Sequence, residues 1–412
     1  MKKVNFYLDK ISLFLIILLP IGLLISSGVS EIIVILIAII FLITSTYNKD
    51  FYWLKNKYFS LLLIIWISLL LNLLFSENFF LSFPRNIFFF KNILFVFAII
   101  SILNNKKYFN LIFIIYLIIT SIVALDICFE NFNGKNILSF KSYDPNRIAS
   151  FLKKELKIGH FILGFSFISI SYYFEKYSIR SLNYKIFGYL LIIFLFISLL
   201  LTGERANTLK GIFIFLAFIA LSKNQIFKHK KIFFTSVVVI LIGTYFFSER
   251  IKYRFNVILE PIENKGFVEA FKETQHAAHY YTAAKILQKY PFFGVGNKNF
   301  RDECAKDEYY DNSYKRIAER CATHPHQIYF ELLSEHGLIG SFVIISAIFF
   351  ILIKSTKIYL RKKNLIHLSS ILFVTAQFLP IIPSGSFFTS WGSIIFWLNF
   401  SILLFYNSED AK

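Results

Sequence analysis

Apolar runs of about the 20 residues needed to cross a bilayer follow one another along almost the whole chain. They are read near residues 11–27, 31–47, 58–75, 87–104, 108–126, 158–174, 185–201, 205–222, 231–248, 327–353, 366–385 and 389–406. With 56% of its 412 residues hydrophobic and only 17% charged, the chain carries more apolar surface than a soluble core can cover, so lipid is its solvent. The expected fold is an all-α polytopic membrane protein of about twelve transmembrane helices, with one long, partly helical loop on the outer side.

Lys2, Lys3 and Lys10 ahead of the first run give the N-terminus the look of a secretory signal peptide. Because a second span follows at once, an uncleaved first helix is the better reading. A net charge of +19 raises nucleic acid as a partner, but the positions of the cations exclude it. Lys49, Lys55 and Lys57 follow the second span, Lys106 and Lys107 the fourth, and Arg180 and Lys185 the sixth. Lys223, Lys228, Lys230 and Lys231 follow the eighth, and Lys354, Lys357, Arg361, Lys362 and Lys363 the tenth. Every even-numbered span therefore ends in a basic turn, the positive-inside pattern of a chain with both termini in the cytoplasm.

Two longer segments on the opposite side, 127–157 and 249–326, then face outward as loops of a single membrane domain covering 1–412. Long loops translocate whatever their charge, so their own cations do not disturb the assignment. Cys304 and Cys321 share the larger loop, where an oxidising compartment would pair them; Cys128 lies at a membrane edge.

The larger loop holds His276, His279, His324 and His326. Gly294 and Gly296, in the run from Pro291 to Gly296, read as turn glycines: position 299 is Asn, and no βαβ pattern surrounds them as a dinucleotide fingerprint requires. Pro325 suits the first position of a helix, so His326 and Gln327 are expected in the first turn of the tenth span, where the helix dipole favours a neutral imidazole and attracts phosphate. A neutral imidazole there is a competent general base. On helical geometry Glu331 and Glu335 point well away from His326, and Gly337 and Gly340 would let another helix approach closely. The alternative reading of His324 and His326 is a pair of interfacial histidines or half of a metal site. Their i, i+2 spacing across a proline is poor for two ligands and no carboxylate or cysteine cluster completes it, so no metal or other cofactor is expected.

A second signal is the turn from Thr202 to Thr208. Arg205 opens an apolar helix and Lys210 lies a turn and a half further in, while Lys91 sits about one turn below the outer end of the fourth span. Cations at this depth cost several kcal/mol unless they snorkel or pair, Arg205 with Glu204 for instance. The functional alternative is a clamp on diphosphate oxygens. A third signal, from Asn146 and Arg147 to Gly159, is a basic stretch that reads as a solvated face or as a surface for anionic lipid heads.

Together these residues resemble the O-antigen ligase family of bacterial envelope glycosyltransferases. That family shows His, then Asn, Ser or Gln, nine residues, Gly, two residues, Gly; His326-Gln327, Ile328 to His336, Gly337 and Gly340 fit it without a gap. Gly203 to Ala206 loosely matches the family's Arg-Gly-Ala-like turn, and Pro291 to Gly296 its Gly-Val-Gly segment. The stretch from Arg147 to Gly159 resembles its outer segment before the sixth span. The chain departs where the family has an arginine shortly before Gly-Val-Gly: here Gln275 to Tyr281 contains histidines, with His279 a candidate replacement, or Arg250 or Arg254 supplying the charge from elsewhere.

The resemblance implies a protein of the bacterial inner membrane that moves a glycan from a polyprenyl-diphosphate carrier to an acceptor sugar hydroxyl, on lipid A-core or another sugar acceptor, at the periplasmic face. His326 is the expected base. Arg205 is expected to meet the leaving diphosphate, with Lys91, Arg147, Lys210, His279, His324 and Gln327 as further substrate-binding candidates. No Asp-x-Asp pair occurs, so a metal-independent reaction is expected. A polymerase or a protein oligosaccharyltransferase of the same superfamily would use the same donor. A flippase is the rival from another class, but its charges would gather near the bilayer midplane.

The basic turns generate a topology test. A cysteine placed near Lys265 should react with a membrane-impermeant maleimide in intact spheroplasts. Labelling only after the inner membrane is breached would invert the orientation.

Overall fold

A computed structural model describes residues 2–178, 180–223 and 225–409, with side chains from Asn5 to Ser408 within them. The side chains of Lys2 and Lys3, used above, lie outside the described residues. The apolar runs form helices α1 (Lys2–Ile25), α2 (Ser27–Asn48), α3 (Lys57–Leu74), α4 (Phe79–Phe88), α5 (Phe90–Leu103), α6 (Lys106–Asn133), α7 (Ile158–Tyr177), α8 (Leu182–Leu201), α9 (Arg205–Leu221) and α10 (Lys230–Phe247). The cap contributes α11 (Glu249–Lys265), α12 (Phe267–Lys272), α13 (Gln275–Lys289) and α14 (Phe300–Glu303); α15 (Ile328–Lys362), α16 (Leu365–Gln377) and α17 (Ser390–Glu409) complete the bundle. No strand occurs among the described residues.

Eight helical segments among the described residues are long and apolar enough to cross a membrane, with α4 and α5 counted together. The other four expected spans, α7, α9, α16 and α17, are also helical but shorter or more polar. Several of their polar groups bond one another or the backbone inside the bundle, as a low-dielectric interior favours. Ser369 Oγ donates to the Phe167 carbonyl at 2.9 Å, Asn399 Nδ2 to the Gly164 carbonyl at 3.1 Å, and Asn407 Nδ2 to Ser355 Oγ at 2.8 Å. Five boundaries differ most from the expectation: the first span begins at Lys2, and the fifth runs on to Asn133, into the segment expected as the smaller outer loop. The fourth span begins earlier and breaks at Phe89, the tenth runs on to Lys362, and the eleventh stops at Gln377, leaving 378–389 without helix.

The turns start helices where side-chain oxygens can take the first free N–H groups: Ser26 accepts from Val29, Asn105 from Lys107 and Tyr108, and Asn364 from His367. The loop after α6, the turn between α8 and α9, the cap and the 378–389 loop all meet at one end of the bundle. Ile148 N donates to the Thr202 carbonyl at 3.1 Å, Glu77 N to Val295 at 3.0 Å, and Ser384 N to His326 at 2.8 Å.

The cap is tied to the bundle by an exchange of backbone partners. In an unbroken α15 the N–H groups of Leu338 and Ile339 would bond the Ser334 and Glu335 carbonyls. Instead they bond the carbonyls of Pro291 and Phe292 at 2.8 and 3.1 Å, and Ser334 and Glu335 accept from Val295 and Gly296 at 3.0 and 2.9 Å. Gly337 makes the opening with φ 61 and ψ −167, a conformation open to little but glycine. A Cβ there would stand 2.4 Å from the Phe292 carbonyl group, and one on Gly294 would stand 2.5 Å from the Glu335 carbonyl carbon. Gly337 therefore admits a turn of the cap rather than a neighbouring helix, and a Cβ on Gly340 would meet His336 of the same helix. Asn72 of α3 reinforces the joint, donating to the carbonyls of Phe293 at 2.7 Å and Glu335 at 3.0 Å.

Gly337→Ala should therefore release the cap from α15, at a cost of about 1–3 kcal/mol for the backbone conformation alone. Hydrogen exchange across residues 291–300 in detergent measures it. Unchanged protection there would show that the exchanged bonds do not hold the cap.

Candidate active site

The cap delivers its histidines from two directions. Thr274 caps α13 by accepting from Ala277 N at 3.2 Å, and His276 and His279, three apart, share one face of that helix. That face meets the start of α15, where Tyr280 stacks on Phe330 with ring centroids 4.6 Å apart. From the other side come His324, Pro325 and His326, immediately ahead of α15.

Here the structure corrects the expected helix start. The first helical residue is Ile328, and Gln327 is its N-cap, its Oε1 accepting from Tyr329 N at 2.8 Å and Phe330 N at 3.1 Å. His326 stands outside the first turn with φ 59, in the left-handed region, and its carbonyl is held by Ser384 N. Gln327 has spent its amide oxygen on the cap and is buried, so that oxygen serves the helix.

The imidazoles converge on His326. Its ring centroid lies 4.2 Å from that of His324, 5.2 Å from His279 and 6.0 Å from His276. Two are fixed by hydrogen bonds: His279 Nε2 donates to the Glu319 carbonyl at 3.0 Å, and His324 Nδ1 pairs with Thr323 Oγ1 at 3.0 Å. Burial, reinforced by the nearby His326, pushes His276 and His279 down to about 4 and His324 to about 3. Burial also lowers His326. The whole group is therefore neutral at neutral pH and able to accept a proton.

The turn carrying Glu319 has its own support. Arg320 is buried and donates to the carbonyls of Cys304 at 2.8 Å and Ala305 at 3.0 Å. Cys304 and Cys321 are joined by a disulfide with Cα atoms 5.3 Å apart.

Beside the histidines lies a cluster of guanidinium groups. Glu204, buried in the turn before α9, accepts from Gly159 N at 2.7 Å and from Asn207 Nδ2 at 2.6 Å. It thus caps the start of α7, and burial, opposed by Arg147, pushes it up to about 6. Arg205 makes no ion pair with it. Its Nη1 instead contacts the Arg254 carbonyl at 3.4 Å, and the charges around it are those of Arg254 and Arg147. Arg254 Nε donates to the Gly203 carbonyl at 3.2 Å, and Arg147 reaches the Leu156 carbonyl. Arg205 in turn lies within electrostatic range of His276.

The remaining candidates separate. Lys210 is buried within the bundle and donates to Gln377 Oε1 at 3.1 Å. Lys91 pairs with Glu31 and lines a different cavity, with Arg85 and Lys298. Glu331 takes Ser386 Oγ and, at 2.9 Å, Phe387 N; Glu335 takes Lys298 N at 2.8 Å and Phe300 N at 3.2 Å. Both thus position loops rather than His326. Sequence reasoning missed His276, whose i, i+3 spacing from His279 was the available signal. It also missed Ser384, for which there was none.

Residues 190–345 match the family model described as O-antigen ligase. This segment belongs to the O-antigen ligase family. No curated protein matches the chain. The ligase-family segment contains Arg205, Arg254, the four cap histidines, the disulfide and the opened helix at Gly337. Arg147 and Lys91 lie outside it. Among the described residues no group of three or more His, Cys, Asp or Glu side chains is arranged to hold a metal ion.

A disulfide across 17 positions is worth about 3 kcal/mol in the chain-entropy model. Cys321→Ser should accordingly raise hydrogen exchange over residues 304–326 by about a hundredfold. Two free thiols, found by non-reducing mass spectrometry of protein from native membranes, would remove this support from the histidine segment.

Proposed function

We propose that this protein transfers a glycan from a polyprenyl-diphosphate carrier to a sugar hydroxyl of lipid A-core, at the periplasmic face of the bacterial inner membrane, without a metal ion. The observation that carries the reading is the juxtaposition of His326, a neutral imidazole among three others, with guanidinium groups of which Arg205 is not neutralised by Glu204.

The acceptor hydroxyl gives its proton to His326 as its oxygen bonds to the anomeric carbon of the donor sugar. The bond from that carbon to the diphosphate breaks, and the polyprenyl diphosphate departs with the electron pair. Arg205, supported by Arg147 and Arg254, meets the charge that develops on it, the part a divalent cation plays in other glycosyltransferases. Paired guanidinium donors match phosphate oxygens better than an ammonium does. His324 and His279, held by Thr323 and Glu319, keep the His326 ring among neutral neighbours and so leave it free to take the proton. The expected twelve-span topology, with both termini cytoplasmic, puts the cap and its histidines on the side where carrier-linked glycans are presented.

His326→Ala should slow transfer by about a hundredfold to ten-thousandfold in purified protein supplied with carrier-linked glycan and acceptor, while the protein stays folded. Arg205→Ala should raise KM for the donor, and Arg205→Lys should restore only part of the loss. Because burial lowers His326 from the usual value of 6.5, kcat/KM should be level above that pH and fall in acid, as protonation removes the base. Near-normal turnover by His326→Ala would end this mechanism.

A further inference from the structure

A second cationic site lies apart from Arg205. The helix break at Phe89 between α4 and α5 opens a cavity of about 450 Å³, lined among others by Glu31, Arg85, Phe88, Lys91, Lys298 and Ser390. Its size is that of a site for a small polar ligand or headgroup. Three cations face one carboxylate. Lys91 pairs with Glu31, whereas Arg85 spends only Nη1, on the Phe388 carbonyl at 3.2 Å and Ser390 Oγ at 3.5 Å. The Lys298 ammonium has no ion pair among the described residues. Burial, then Arg85 and Arg301, lowers its affinity for a proton, against the opposing pull of Asp302 and Glu335. Cations crowded near the ends of membrane helices are costly unless an anion offsets them, and the Lys298 ammonium pairs with neither of the carboxylates that act on it, Asp302 and Glu335.

Two further features identify the anion. Phe88 is 60% exposed and Ile35, also on the lining, is 39% exposed, so the cavity borders the lipid-facing flank of the bundle and a ligand's acyl chains can remain in the bilayer. Arg301 lies within electrostatic range of both Arg85 and His324, which joins this cavity to the histidines through His324, whereas Arg205 reaches them through His276. We propose that the cavity is the acceptor site and binds the phosphate of a phosphorylated glycolipid, whose sugar extends past Arg301 toward His326. The donor diphosphate then occupies the Arg205 side. This rests on the reading of the protein as a transferase between two lipid-borne substrates.

The test uses the full chain in nanodiscs, unaltered and as Arg85→Gln, Lys298→Gln and Lys298→Arg. Binding is measured, without donor, to an acylated disaccharide bearing one phosphate, to the same lipid dephosphorylated, and to inorganic phosphate. Each Gln variant should bind the phosphorylated lipid about tenfold more weakly, the loss of one charge-assisted contact. Neither should change binding of the dephosphorylated lipid or of polyprenyl diphosphate, and Lys298→Arg should bind as the unaltered protein does. Because Arg85 also holds the Phe388 carbonyl, Lys298→Gln, which breaks no contact of its side chain, decides the matter if Arg85→Gln misfolds. Equal binding of the two lipid forms, weakened binding of polyprenyl diphosphate instead, or inorganic phosphate binding as tightly as the lipid would each overturn the proposal. If the phosphorylated lipid binds as described but the unaltered protein transfers no glycan, the cavity's ligand stands and the transferase reading falls.

Discussion

The exchange of four backbone hydrogen bonds at Gly337 is the joint on which the cap half of the molecule depends. A membrane helix cannot leave N–H and C=O groups unpaired at a break, since each costs several kcal/mol in a dry environment. The Pro291–Gly296 segment supplies the missing partners and is itself fixed by supplying them. Because α13 runs directly into that segment, the joint also sets where His276 and His279 stand. The nine residues from Ile328 to His336 form a helical rod about 14 Å long, which separates the joint from His326. Both groups of histidines are thus measured from one point on one helix, which gives a physical meaning to the fixed interval between the histidine and the first glycine.

The electrostatics follow a similar economy. Glu204 is the nearest carboxylate in sequence to Arg205, yet it is turned to the N-terminal amide of Gly159 and to Asn207. The helix end gains the negative charge that its dipole favours, and the guanidinium is left facing other guanidiniums. Asp144 and Glu204 partly compensate Arg254, but the charges that act on Arg205 are guanidiniums alone, a repulsion that an arriving anion would relieve.

The helical, membrane-embedded character of the chain was plain from hydrophobic spacing alone, because lipid leaves so few solutions for the backbone. Helix ends set by a local oxygen, such as those at Ser26 and Asn364, were within reach of the same reasoning. The candidate site was legible in residue type more than in geometry. Proline suggested that His326 opens a helix; the chain instead uses Gln327 as the cap and turns His326 into the left-handed region, a choice enforced by Ser384 some 58 positions away. Gly337 read as a packing glycine because a sequence does not reveal which distant loop will enter a helix. The expected span at 366–385 failed in its second half. Phe378, Phe387 and Phe388 are buried while Ile381 between them is 79% exposed, the pattern of a loop and not of a continued helix.

That loop follows from the length of α16. Thirteen residues span about 20 Å, against a hydrocarbon layer of about 30 Å, so α16 alone is too short to cross it and the chain from Phe378 continues as a loop. It is tolerated because neighbouring side chains take its polar groups: Tyr329 Oη donates to the Phe378 carbonyl at 2.7 Å, and Glu331 holds Phe387 N. Ser384, which fixes His326, belongs to this loop. The backbone that holds the histidine therefore follows from one of the shorter helices of the bundle, which ends early and leaves the chain free to turn under the cap.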